Sequence, residues 1–173
     1  MVRTIGVAIG VPPPGGPELD RHRAASGDPL APFIPAHVTL LGPTEVDGSP
    51  AISSRIDLHL AAIAAAHAPF TIHLRGTGTF RPVTQVVFVA VAAGISECER
   101  LASAIRSGPL ERKLHYPYHP HVTVAHDVPE PALDAVFAGL ARFEARFAAE
   151  SFTLYEHGTD GHWHPLKAYP LVA

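Results

Sequence analysis

The chain has 173 residues, enough for one well-buried domain or two small lobes sharing a core, and too few for two ordinary independent domains. An apolar fraction of 47% against 17% charged excludes global disorder, and a formal charge of -3 excludes the broad cationic surface that an extended duplex needs. A lone Cys98 excludes an internal disulfide, and neither a secretory leader pattern nor a bilayer-length apolar run is present, so one domain spanning 1–173 is expected, cytoplasmic, monomeric and without a membrane segment.

Thr4 to Val11 is apolar, rich in Val and Ile and stopped by Pro12-Pro13-Pro14-Gly15-Gly16, which predicts a buried strand ending in a loop. A short helix follows over Pro17 to Ala25. Alternation from Ala36 to Leu41 predicts a strand closed by Gly42-Pro43. Ser49-Pro50 supplies a cap and first turn, and Ile52, Ile56, Leu60 and Ile63 recur at helical spacing behind it. Two strands, Phe70 to Leu74 and Gln85 to Ala92, are expected to join through Gly76-Thr77-Gly78, and Ser96 with Glu99 forms a capping-box pattern opening a helix through Ile105.

After Ser107-Gly108-Pro109 the order restarts. His121 to Ala125 is a predicted strand, Pro129 to Arg142 a helix and Phe147 to Tyr155 a strand, with a closing hairpin over Trp163 to Tyr169. A motif strand, helix, strand, strand order thus occurs around residues 36–92 and again around 120–169.

Both motif strands carry His-x-Thr: His37-Val38-Thr39-Leu40 and His121-Val122-Thr123-Val124. Residues at i and i+2 of a strand share a face, so each copy presents an imidazole and a hydroxyl to one side of a sheet. If the copies converge, two proton-transferring groups and two hydroxyl donors meet in one cleft. Such a set suits phosphoester chemistry: one neutral histidine takes a proton from water, the other gives one to a departing ribose oxygen, and the threonines bond non-bridging phosphate oxygens. This scheme requires no metal or other cofactor. An ordinary imidazole value of about 6.5 would already populate both protonation states near neutrality.

Pro35-Ala36-His37-Val38-Thr39-Leu40 and Pro120-His121-Val122-Thr123-Val124 resemble the paired His-x-Thr/Ser-x motifs of the 2H phosphoesterase superfamily, in particular its 2′-5′ RNA ligase and RNA 2′,3′-cyclic phosphodiesterase branch. Gly78-Thr79-Phe80 before a strand, and Phe152-Thr153-Leu154-Tyr155 through Trp163 to Leu171, extend the likeness over nearly the whole chain. The resemblance implies an α+β, bilobal, pseudo-twofold fold in which two antiparallel sheets face a central cleft with helices outside. It also implies metal-independent action on 2′,3′-cyclic phosphates or 2′-5′ bonds of RNA ends or small nucleotides, with His37 and His121 catalytic and Thr39 and Thr123 on the phosphate.

Arg81, Tyr118 and His119 are further candidate substrate contacts: an arginine for phosphate, an aromatic ring for a base, and a histidine two residues before the second motif. Tyr116 is the weaker aromatic candidate. Two other readings stand beside the enzyme: a noncatalytic nucleotide or RNA-end binding module, and a histidine-rich metalloenzyme drawing on His119-Pro120-His121 or on His157, His162 and His164.

Overall fold

The computed structural model describes residues 1–173. Eight strands and four helices follow one another as β1 (Val2–Gly10), α1 (Gly15–Ala25), β2 (His37–Asp47), α2 (Pro50–Ala65), β3 (Phe70–Thr79), β4 (Val86–Ala93), α3 (Ile95–Ile105), β5 (His121–His126), α4 (Glu130–Gly139), β6 (Glu144–Ala149), β7 (Ser151–His157) and β8 (Trp163–Pro170). They build two four-stranded antiparallel sheets, ordered β2-β1-β7-β8 and β5-β4-β3-β6. The expected α+β architecture of two such sheets is observed. No helix is long and apolar enough to cross a membrane.

The two sheets are related strand for strand. β1 and β4 are the apolar centres, each paired on one side with a motif strand that forms the sheet edge. The internal repeat therefore has a different phase from the one expected: the unit is strand, helix, motif strand, helix, as β1-α1-β2-α2 and β4-α3-β5-α4. The helices reach across, α1 packing against β5 and α3 against β2, and the edge strands β2 and β5 lie against one another. One core of 36 buried residues runs through both lobes.

Several predicted boundaries shift for identifiable reasons. β2 does not stop at Gly42-Pro43 but continues to Asp47, because Gly42-Pro43 forms an irregularity opposite Gly6 on an edge strand, where a proline removes no ladder bond that a neighbour needs. β3 likewise runs through Gly76-Thr77-Gly78; the ladder to β4 slips between Leu74 and Thr77, and Gly76 adopts φ 72, so the glycine makes a bulge and the turn falls later. Gly94 precedes α3 without a side-chain cap, and Ser96 Oγ bonds Glu97 instead of closing a box with Glu99. Phe147 to Tyr155 is two strands, β6 and β7, divided at Glu150 and belonging to different sheets. Ser49 does cap α2, its Oγ accepting from the Ile52 amide at 3.3 Å.

Candidate active site

β2 and β5 share one burial rhythm over their first six residues: half-buried, buried, half-buried, buried, buried, half-buried. The doubled buried position is a bulge. Ala8 faces Thr39 and Val7 faces Leu41, so Leu40 is the extra residue in β2; Phe88 faces Thr123 and Val87 faces Ala125, so Val124 is the extra residue in β5. Each bulge follows its threonine directly. It keeps His and Thr on the cleft face, sends Leu40 and Val124 into the core, and returns the chain to the cleft side at Gly42 and His126.

Between the motif strands lies a cleft of about 270 Å³ lined by His37, Thr39, His121 and Thr123. The backbone orients both imidazoles in the same way. Nδ1 of His37 lies 2.8 Å from the Pro35 carbonyl, and Nδ1 of His121 lies close to the His119 carbonyl, at 2.6 Å. A carbonyl oxygen only accepts, so each Nδ1 carries the proton and each Nε2 is left unprotonated and without a protein partner.

Electrostatically the imidazoles differ from the expectation of ordinary values. Burial pushes His121 down to about 4; the His119 carbonyl opposes this, while His119 and His37 add to it. His37 is also lowered, first by burial, with the Pro35 carbonyl opposing and the Arg23 charge adding to the effect. Both shifts favour the neutral form of the rings. A negative charge placed beside either ring would favour its imidazolium form.

The surroundings of the two rings are not alike. His121 stands edge-on to Phe80, centroids 5.0 Å apart at 87°, and 5.3 Å from Phe88. Gly78 admits that wall, since a Cβ there would sit 2.5 Å from the Phe88 ring. His37 instead shares its side of the cleft with Arg23, a buried guanidinium on α1.

Of the remaining candidates, none lines the cleft. Arg81 is committed elsewhere, Nη1 bonding Asp134 at 2.8 Å and Nε bonding Thr79 Oγ1. Tyr118 turns inward and donates its hydroxyl to the Thr39 carbonyl at 2.7 Å, bracing the first motif strand from the loop that leads into the second. His119 packs on Phe80 and Phe88 beside His121, ring centroids 5.8 Å apart, as a second layer of wall. No three His, Cys, Asp or Glu side chains are arranged to hold a metal ion; His164 of the distal cluster pairs with Asp160 at 2.9 Å.

Arg23 and His126 also line the cleft without having been candidates from the sequence, and Tyr155 and Trp163, quoted there only as part of the family likeness, line it too. His126 is in the wrong phase for the cleft unless the Val124 bulge is known. Trp163 comes from β8, its ring within 3.3 Å of where a Gly6 Cβ would stand, so Gly6 lets an aromatic surface reach the sheet beside the motifs.

Residues 11–161 match the 2′-5′ RNA ligase superfamily. A candidate phosphoesterase of Bacillus licheniformis is 29% identical over 148 residues, covering 84% of this chain and 86% of that protein. One from Oceanobacillus iheyensis is 31% identical over 101 residues, 58% of each chain. Among solved structures, Escherichia coli LigT complexed with NADP+ superposes with a TM-score of 0.71 at 24% identity over the full length of both chains, and a crystal structure described as a phosphoesterase superposes with a TM-score of 0.73 at 23% identity, again over both full lengths. The chain belongs to the 2′-5′ RNA ligase superfamily of 2H phosphoesterases.

Proposed function

We propose that this chain is a metal-independent phosphoesterase acting on a 2′,3′-cyclic phosphate or a 2′-5′ phosphodiester at an RNA end or in a small nucleotide, with His37 and His121 as the acid-base pair. The observation that carries this reading is the matched pair of imidazoles in one cleft, each with Nδ1 held by a carbonyl two residues upstream and Nε2 free. The solved LigT complexes with NADP+, 3′-AMP, phosphate and ATP support a nucleotide or phosphate as the class of ligand.

With the phosphate between the rings, the neutral imidazole takes a proton from water as the water oxygen bonds phosphorus. The bond from phosphorus to one ribose oxygen breaks, and the imidazolium passes its proton to that oxygen. The product is a phosphomonoester, and the two rings have exchanged protonation states. Thr39 and Thr123 donate to the non-bridging oxygens, in surroundings of Leu41, Phe80 and Val86 that strengthen such bonds. Tyr155 and Trp163 offer a ring surface for the base, and the 18-residue wall suits one nucleotide or a strand end better than a duplex.

The test is turnover of a panel of 2′,3′-cyclic nucleotides and 2′-5′ dinucleotides with EDTA present, alongside an assay for 2′-5′ joining. Hydrolysis unaffected by the chelator is expected. Tight binding of panel members without any product would replace the enzyme with a binding module. Activity that disappears with EDTA and returns with a divalent ion would overturn metal independence.

A further inference from the structure

Arg23 is the only permanently charged side chain lining the cleft, and the mechanism above leaves it without a task. It is 6% exposed, and its partner Asp28 is 4% exposed. One edge of the guanidinium is clamped: Nε donates to Asp28 Oδ2 at 2.7 Å, while Asp28 Oδ1 accepts the Leu30 amide at 2.9 Å. Ser26 completes the clamp, its Oγ donating to the Arg23 carbonyl at 2.6 Å and accepting the Asp28 amide at 3.3 Å.

The two Nη groups have no protein acceptor. Since no fully buried side-chain nitrogen or oxygen in the protein lacks a partner, these groups open onto the cleft that Arg23 lines. Burying an ion pair is no cheap route to stability, because a well-packed apolar pair commonly does as well. A fork held by one edge and left donating from the other fits a residue kept for the anion it meets.

We propose that Arg23 is the fixed anion-binding residue of the cleft, its Nη edge donating to the non-bridging oxygens of the substrate phosphate held between His37 and His121. This rests on the reading under Proposed function. Opening a cyclic diester takes the phosphate from one negative charge towards two. The threonines are neutral donors, so Arg23 supplies the cation whose attraction grows as the reaction proceeds. The Coulombic influence of Arg23 on His37 agrees with a guanidinium on that side of the cleft.

The experiment compares wild type, Arg23→Lys and the double variant Arg23→Gln/Asp28→Asn, which replaces the ion pair by a neutral hydrogen-bonded pair. Thermal melting reports folding, and calorimetry reports inorganic phosphate affinity. Rates are measured on adenosine 2′,3′-cyclic phosphate with and without a 5′-phosphate. In the folded double variant, phosphate should bind about tenfold more weakly or worse, kcat/KM should fall about 100-fold on both substrates, and the NMR titration of His37 should move upward. Arg23→Lys should fold and lose at least about tenfold in kcat/KM, because a point charge does not replace the fork.

Wild-type phosphate affinity and rates in the double variant, or in Arg23→Lys should the double fail to fold, overturn the proposal. A loss confined to the 5′-phosphorylated substrate overturns the assignment to the reacting phosphate. If wild type turns over none of the panel, phosphate affinity still decides Arg23. If wild type is active and both variants match it, the phosphoesterase reading stands and the Arg23 proposal fails.

Discussion

The two motif strands agree in backbone and differ in company. Both are sheet edges, both bulge directly after the threonine, and both hold the histidine by a carbonyl two residues upstream. Around that shared frame, the first lobe sets a buried cation beside His37 and the second sets Phe80 and Phe88 beside His121. At the position after the bulge, the first lobe has Gly42 and the second His126. What repeats is what aims a proton donor or acceptor. What diverges is the lining around it.

The most severe test of the shared frame is removal of either ring. His37→Ala and His121→Ala should each lower kcat/KM on a cyclic nucleotide by about 10³-fold, within the range that acid-base groups contribute, with folding retained by circular dichroism. Full activity in either would break the equivalence of the strands. Next in size, Thr39→Val and Thr123→Val keep the β-branched strand shape and remove the hydroxyl, and each should cost about 10- to 100-fold in kcat. A large effect from one alone would locate the phosphate nearer that lobe.

The pH dependence sharpens the comparison further. Both imidazoles are lowered in the folded state, His121 to about 4, whereas in the unfolded chain histidine titrates at about 6.5. The unfolded state therefore binds more protons in this window, and stability falls as pH drops from about 6.5 through the folded values. The melting temperature should be lower at pH 5 than at pH 7, by less in His37→Asn or His121→Asn, and saturating inorganic phosphate should recover part of the loss. For the same reason the kcat/KM profile of free enzyme should be bell-shaped with its centre below about 6.5.

Tyr118→Phe removes the hydroxyl that braces Thr39 and should cost about 1 kcal/mol of stability by urea denaturation, with a smaller effect on rate. The smallest effect is expected from Gly42→Ala, since a Cβ at Gly42 meets nothing within 4 Å. His126→Ala, at the matching position, should raise KM more than it lowers kcat.

The parts of this site that were legible in the sequence obey simple periodicity. His37 with Thr39 and His121 with Thr123 sit two apart on strands, and alternation assigns their face without knowledge of the sheet. Arg23 offered no such signal, because a helical arginine facing inward differs from one facing water only through tertiary packing. His126 was hidden by the bulge at Val124, which inverts the parity that periodicity relies on. Glycines misled in a consistent direction: Gly42 and Gly76 were read as strand ends, yet here they lie within strands whose ladders slip around them. One overlooked sign was present, since buried positions change from odd at Ala149 to even at Phe152 and Leu154, the parity break that marks the passage from one sheet to the other at Glu150.

That single-residue passage has a mechanical meaning. The chain crosses between lobes through α2 on one route and through Glu150, alone between β6 and β7, on another. Each imidazole takes its aim from a carbonyl two residues away on its own lobe, while one shared core and a crossing of a single residue join the lobes, so aim is set within each lobe and the spacing of the rings between them.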